Sequence, residues 1–356
     1  MKTQTLITIA VASAAVVAIV AALYWVSPVV FYIVLTEIPA VLGIFLASLT
    51  VGCLPVRWLV PKLTISQRLV ASWALGSGLL ATLILLAGLA GLLSRTLWLI
   101  AVIALAAVAL GILYKNLRRT AAEKVVYEFG RWWALLLLVI FPFAVMALAA
   151  ATVPPGFLWS AEGGGYDVLE YHLQVPNEWY HAGRIEFLPH NAYANLPANA
   201  EMFYLLATIL NRGPYAAVYA AQLTHTGFAF ACVLAVWIFV RPWGTWPAAL
   251  AAAALATCGW MAYLAPLAYV EMPMLFLSIV IVGVLVTTLR DAMSEHLVCE
   301  KLRYAGKQGF FDIPRIFHVD ASLSMTGGHG DLLSYMDKNA YNRPDDYMGV
   351  SDGPLE

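Results

Sequence analysis

Long uninterrupted apolar segments follow one another along most of the chain. A helix needs about 20 consecutive apolar residues to cross the hydrocarbon core of a bilayer. Eight segments approach or exceed this length and are predicted as transmembrane helices: residues 5–26, 29–54, 69–93, 97–114, 132–153, 214–240, 247–265 and 266–289. The pattern therefore predicts an all-α polytopic membrane protein with about eight transmembrane helices.

The first apolar segment could be read as a secretory signal peptide, because it follows Lys2 and is rich in Ala. However, it is longer than the apolar region of a signal peptide, and a second span follows it directly. We therefore expect an uncleaved membrane anchor.

The distribution of Lys and Arg predicts the orientation, because cytoplasmic loops carry an excess of these residues. With the N-terminus inside, the inner segments carry eleven Lys and Arg residues and the outer loops carry three. The three outer residues are Arg95, Arg184 and Arg212. The long polar loop at residues 154–213 is then predicted to lie on the outer face of the membrane.

Composition supports the membrane assignment and excludes some partners. The 356-residue chain is 62% hydrophobic and 12% charged, whereas a soluble protein has about 25% charged residues. Its basic residues are scattered between the spans and form no stripe or patch, so no nucleic-acid partner is expected. The four cysteines include no CxxC pair, and neither a disulfide framework nor a zinc site is predicted.

The outer loop, residues 154–213, is rich in polar and aromatic residues. Between residues 154 and 200 it carries five acidic residues and one Arg. Residues 168–180 carry Leu169, Leu173, Val175 and Trp179 among polar neighbours, which predicts a short amphipathic helix at the membrane interface, interrupted at Pro176. Residues 201–210 are apolar but too short to span, which predicts a re-entrant or interfacial helix packed on the bundle.

The loop resembles the first large extracytoplasmic loop of bacterial GT-C superfamily glycosyltransferases, relatives of the protein mannosyltransferases and lipid A aminoarabinose transferases. The matching features are Asp167 after a Gly-rich turn, the YHL segment at 171–173, the AGRI turn at 182–185, and an Asn-x-Pro step before EMFYLL at 201–206. The segment AYVEMPMLF at 268–276 resembles the acid-x-Pro motif that opens a later span in the same superfamily. Its acid is Glu271, where the relatives more often have Asp.

The resemblance implies transfer of a sugar from a polyprenyl-phosphate carrier to an acceptor at the outer face of a bacterial inner membrane. Such a reaction needs a carboxylate to take the acceptor proton, and we assign Asp167 to this role. Glu271 would orient the acceptor or, together with Asp167, hold a divalent cation. The predicted substrate-binding residues, including the cationic groups for the phosphate, are Tyr171, Glu170, His172, Arg184 and Arg212.

Structural alternatives exist for the two acids and the histidines. Asp167 could cap the helix that follows it, since Glu170 three residues later resembles a capping box. Glu271 could be a solvated residue at the membrane rim. His172, His181 and His190 recur every nine residues, which is not a metal-ligand spacing on one helix face, and no metal site is predicted there.

A transporter or lipid-scaffold protein is the alternative function, with the outer loop as a gate or docking surface. Transporters usually contain paired inverted repeats with broken spans at matching positions, and the sequence shows no such repeat. The membrane glycosyltransferase is therefore the favoured interpretation.

The soluble tail, predicted at residues 290–356 after a membrane region at 1–289, has a different character. The segments VTTLRD at 286–291 and TGGHGD at 326–331 resemble an internal piece of the metal-dependent amidohydrolases related to imidazolonepropionase. The HxH metal pair of that family is absent upstream, and a parallel barrel needs all its strands. We expect a truncated transferase joined to an amidohydrolase fragment near 283–286; the alternative is a native short cytoplasmic domain.

Overall fold

A computed structural model describes residues 2–122, 135–158 and 165–307. All regular secondary structure in these ranges is helical. The α-helices are α1 Lys2–Val26, α2 Pro28–Leu59, α3 Ile65–Leu89, α4 Arg95–Ala122, α5 Leu135–Ala150, α6 Gln174–Ala182, α7 Glu201–Leu210, α8 Pro214–Val240, α9 Thr245–Ala256, α10 Gly259–Leu264 and α11 Glu271–Lys307.

Five helical segments within the described ranges are long and apolar enough to cross a membrane: Pro28–Leu59, Ile65–Leu89, Arg95–Asn116, Pro214–Trp243 and Glu271–Arg290. The chain is therefore a multi-pass membrane protein, as the apolar pattern predicts. Eight spans were predicted, and the described residues contain five such helices. The total of eight therefore stays a prediction.

Two of the predicted spans differ from the helices observed. The segment predicted at 247–265 is divided, because α9 ends at Ala256 and the six-residue α10 follows Cys258. The segment predicted at 266–289 begins later, because α11 starts only at Glu271. Pro266 lies between them and lacks the backbone N–H that a continuous helix would use. Hydropathy is high across most of residues 247–289, so it does not indicate the end of α9 at Ala256 or the start of α11 at Glu271.

The α2 and α3 helices pack at very close range through two glycines. A Cβ atom added at Gly52 would lie 1.8 Å from the Ser72 carbonyl oxygen, and one added at Gly76 would lie 1.7 Å from the Ser48 carbonyl oxygen. Small residues of this kind allow the backbones of membrane helices to approach closely.

The outer loop is attached to the end of the bundle where α3 ends and α4 begins. The Ile185 N–H donates to the Gly88 carbonyl oxygen at 2.9 Å, and Arg95 Nε donates to the Leu210 carbonyl oxygen at 3.0 Å. The Asn211 amide also donates to Glu37 Oε2 at 2.8 Å. The segments that contain the three predicted outer arginines therefore meet at one end of the bundle.

The interruption predicted at Pro176 is wrong. A single π-helical turn covers Val168–His172, and α6 begins at Gln174, so the break falls at Leu173. Pro176 lies in the first turn of α6, where backbone N–H groups have no intrahelical partner and Pro is tolerated.

The α7 helix is too short to span, as predicted, and all ten of its residues are buried. It packs against α2, α3, α4, α6 and α8. This burial fits a helix inside the bundle and does not fit a helix lying at the interface. The α7 helix thus provides a fixed internal support beneath the outer loop.

The chain divides into two units, with the boundary between Gly283 and Val284. The described part of the second unit, residues 284–307, is helical and includes the VTTLRD segment at 286–291. The TGGHGD segment at 326–331 lies outside the described residues, and the amidohydrolase resemblance stays a prediction.

Candidate functional site

The irregular backbone between α10 and α11 is held by His225, a fully buried residue of α8. The Met272 N–H donates to His225 Nε2 at 3.1 Å, and His225 Nδ1 lies 3.2 Å from the Ala265 carbonyl oxygen. Because Nε2 accepts a hydrogen bond, the proton lies on Nδ1 and the ring is neutral. Thr226 Oγ1 donates to the same carbonyl at 2.9 Å. Irregular backbone at membrane depth needs internal partners of this kind.

Glu271 is the first residue of α11 and is half-buried. Its Oε2 accepts a hydrogen bond from the Val270 N–H at 3.1 Å. The N-terminus of a helix favours a negative charge. Next to it, the Tyr204 hydroxyl of α7 donates to the Tyr269 carbonyl oxygen. The position of Glu271 is therefore fixed by the helix start and by a contact from α7.

Asp167 does not cap the turn that follows it. Its backbone is already helical, with φ −62° and ψ −29°, and its side chain makes no capping hydrogen bond. The capping alternative is therefore wrong in this structure. The exposed carboxylate instead accepts a long hydrogen bond from the Tyr171 hydroxyl, 3.4 Å from Oδ2. Asp167 thus presents an accessible carboxylate on the outer loop.

Three acidic residues from different elements act on Tyr171. Burial raises the pKa of Tyr171 to about 12, and the negative charges of Asp167, Glu201 and Glu271 add to the increase. Contacts also bring together the segments of the two predicted catalytic acids, because the His172 and Tyr269 ring centroids are 5.5 Å apart and a Cβ atom added at Gly165 would lie 3.7 Å from the Tyr269 hydroxyl oxygen. The raised pKa keeps the Tyr171 hydroxyl protonated well above neutral pH, so it remains a hydrogen-bond donor to Asp167.

His172 and Glu201 form a buried pair. His172 Nδ1 lies 2.5 Å from Glu201 Oε1, and the two residues are only 3% and 4% exposed. Glu201 Oε2 is buried and has no hydrogen-bond partner among the residues that the structure describes. We predicted that His172 holds phosphate, but the structure gives its Nδ1 a carboxylate partner.

Glu201 was not predicted as a site residue. It is the first residue of the predominantly apolar α7 helix, and an acid in such a position is costly unless it has a specific role. That cost is the signal in the sequence that could have identified it.

Glu170 lies in a cluster of tyrosines on the exposed side of the turn. The hydrogen bond between Glu170 and Tyr166 is the largest cause that raises the pKa of the Tyr166 hydroxyl, and the negative charge of Glu170 is the next largest. The Tyr193 ring stacks on Tyr171 with centroids 5.0 Å apart. The Asn191 amide donates to the Glu170 carbonyl oxygen at 3.1 Å and so connects the Tyr193 segment to the turn.

The two predicted phosphate-binding arginines lie apart from these contacts. Arg184 is exposed, and its Nε is 3.9 Å from Glu186 Oε2. Arg212 is exposed in the turn between α7 and α8, with a positive φ of 65°. Within the described ranges, no hydrogen bond or ion pair connects either arginine to Asp167 or Tyr171.

The described residues contain no group of three or more His, Cys, Asp or Glu side chains arranged to hold a metal ion. A divalent cation held by Asp167 and Glu271 would need additional oxygen ligands from substrate or water. The cation therefore stays a prediction from the sequence.

No protein-family profile, curated protein or solved structure matches the chain.

Proposed function

We propose that this protein is a membrane glycosyltransferase of the cytoplasmic membrane of a bacterium. It would move a sugar from a polyprenyl-phosphate donor to an acceptor at the outer face. The observation that carries the proposal is the contact between the turn that bears Asp167 and the segment that leads into Glu271: the His172 and Tyr269 ring centroids are 5.5 Å apart, and a Cβ atom added at Gly165 would lie 3.7 Å from the Tyr269 hydroxyl oxygen. The two acids come from the outer loop and from the start of an apolar helix, so they can meet a lipid-linked donor and a polar acceptor together.

Asp167 is the proposed general base. The acceptor hydroxyl attacks the anomeric carbon and gives its proton to the Asp167 carboxylate. The bond between that carbon and the phosphate oxygen breaks, and its electron pair leaves with the phosphate. Asp167 is exposed, and within the described ranges its carboxylate is held only by the 3.4 Å contact from Tyr171, so it can accept this proton. General-base assistance of this kind contributes about 10²- to 10⁴-fold to a rate.

Glu271 is proposed to orient the acceptor. Its carboxylate already accepts the Val270 N–H, which fixes its direction and leaves further oxygen lone pairs for an acceptor hydroxyl. Glu271 could also bind a divalent cation jointly with Asp167. Tyr171 and Glu170 lie beside Asp167 and would contact the sugar.

The leaving phosphate is proposed to bind away from Tyr171. The carboxylates of Asp167, Glu201 and Glu271 act on Tyr171, and their negative charges would repel a phosphate. Arg184 and Arg212 are both exposed on the same loop, and their side chains can pair with phosphate oxygens. The apolar outer surfaces of the spans would bind the polyprenyl tail.

Turnover of a lipid-linked sugar tests this function. We expect the full chain, reconstituted in nanodiscs, to convert undecaprenyl phosphate bearing radiolabelled mannose, glucose or 4-aminoarabinose. Bacterial envelope extract supplies the acceptor, and chromatography measures transferred label and released undecaprenyl phosphate. At least one donor should be consumed at about 100 times the rate seen with empty nanodiscs.

Two outcomes of this assay contradict the proposal. Donor binding without consumption would favour a transporter or lipid-scaffold protein. The absence of both binding and consumption for every polyprenyl-phosphate donor would remove the donor class itself.

A further inference from the structure

The π-helical turn Val168–His172 carries two different faces. Val168 and His172, one turn apart, are buried against the bundle at 0% and 3% exposure. Asp167 and Tyr171, also one turn apart, form the hydrogen-bonded pair on the accessible side. Both pairs belong to the same helical turn. A rotation of that turn that moved Val168 and His172 would therefore also redirect Asp167 and Tyr171.

His172 is the polar anchor of this turn. Its Nδ1 contacts Glu201 at 2.5 Å, and Glu201 begins α7, whose residues are all buried. The His172 ring also contacts two aromatic rings, with its centroid 4.1 Å from that of Tyr171 and 5.5 Å from that of Tyr269. The anchor therefore connects the outer loop, α7 and the segment that precedes Glu271.

Glu201 has no other hydrogen-bond partner in the described structure that would explain its burial. Its second oxygen, Oε2, is buried and unpartnered, and burial of an unsatisfied carboxylate oxygen is unfavourable. A carboxyl group kept at such a cost is commonly a functional one. Single π-helical turns also occur frequently at functional sites.

We propose that His172 and Glu201 are positioning residues, which set the orientation of Asp167 and Tyr171 through a buried hydrogen bond. This role rests on the proposed transferase function. Neither residue needs to touch the substrate. What the pair provides is a hydrogen bond of fixed geometry between the turn and α7, and a net charge on Glu201 is not required.

A second His–Glu pair in the same loop provides a matched control. His190 Nε2 lies 2.9 Å from Glu178 Oε2, but the His190 side chain is 61% exposed. Exposed ion pairs contribute little to stability because water screens them. Removal of Glu178 therefore tests the loss of a similar contact without the loss of a buried anchor.

Two measurements on the full chain in nanodiscs test the positioning role. Hydrogen exchange at residues 165–173, without substrate, reports the fixation of the turn. Donor turnover with undecaprenyl-phosphate sugars reports kcat and KM. The disrupting variants are Glu201→Ala and His172→Phe, which keeps a ring of similar size. The conservative variants are Glu201→Gln and His172→Asn, whose amides can still form the hydrogen bond.

We expect both disrupting variants to exchange about tenfold faster at residues 165–173. Their kcat should fall by about 100-fold, with the donor KM within about threefold of the original. Glu201→Gln and His172→Asn should recover turnover to within about tenfold, and Glu178→Ala should behave like the unmodified protein within about twofold.

Three results would overturn the positioning role. Unchanged exchange in His172→Phe would show that the pair does not fix the turn. Glu201→Gln as slow as Glu201→Ala would show that the charge, and not the hydrogen bond, is required. An equal loss in Glu178→Ala would show a nonspecific effect of the loop.

If Glu201→Ala does not fold, the comparison of His172→Phe with His172→Asn decides. If the unmodified protein consumes no donor, the proposed function fails while hydrogen exchange still tests the anchor.

Discussion

Replacement of Asp167 with Asn should slow sugar transfer by about two orders of magnitude or more, which is the usual contribution of a general base. Asn has nearly the shape of Asp and can still accept the hydrogen bond from Tyr171, which is 3.4 Å from Oδ2. It cannot take a proton from the acceptor hydroxyl. The amount of membrane-inserted protein should stay unchanged, because the Asp167 side chain makes no capping hydrogen bond. Donor turnover in nanodiscs measures the effect.

Glu178→Gln is the control for this experiment, because Glu178 is an acid of the same loop whose side chain contacts Gln174 and His190, neither of which belongs to the proposed site. It should retain turnover within about twofold. Near-complete activity in Asp167→Asn would mean that another group accepts the proton, and the catalytic assignment of Asp167 would then be wrong.

Replacement of His225 with Ala should have the largest effect on stability. The Met272 N–H would lose its acceptor, and an unsatisfied buried donor costs about 1–3 kcal/mol. The cavity left by a fully buried ring adds to this cost. The free energy of unfolding, measured by denaturant titration of the purified protein in detergent, should fall by at least this amount.

His181→Ala is the matched control, because His181 is exposed at the end of α6. Its free energy of unfolding should change by less than about 0.5 kcal/mol. A His225→Ala protein as stable as this control would show that His225 does not hold the start of α11.

The long apolar helices could be predicted from the sequence, because hydropathy averages over many residues. The ends of α9 and α11 could not. The boundary predicted at Pro266 is correct, but the break at Thr257 and the start of α11 only at Glu271 were missed. The irregular backbone there is possible because His225 and Thr226 provide partners from α8. Those partners are about 40 residues away, and a local pattern contains no information about them.

The same distinction holds for the candidate site. Asp167 and Glu271 could be selected because each has a local motif around it. Glu201 was missed because its role depends on contact with His172, 29 residues earlier. The sequence likewise could not predict that Arg184 is exposed and His172 is buried, because both are polar residues of one loop. Only the packing of that loop on α7 separates them.

A double-mutant cycle tests most directly whether Asp167 and Glu271 form one active site. Donor turnover is measured for Asp167→Asn, Glu271→Gln and the double variant in the same nanodisc preparation. Residues that act as a unit in catalysis have strongly non-additive effects. We expect each single substitution to lower turnover by about 100-fold, and the double variant to fall no more than about tenfold below the slower single variant. A loss in the double variant equal to the product of the two single losses, about 10⁴-fold, would show that the acids act independently and would contradict the proposed site.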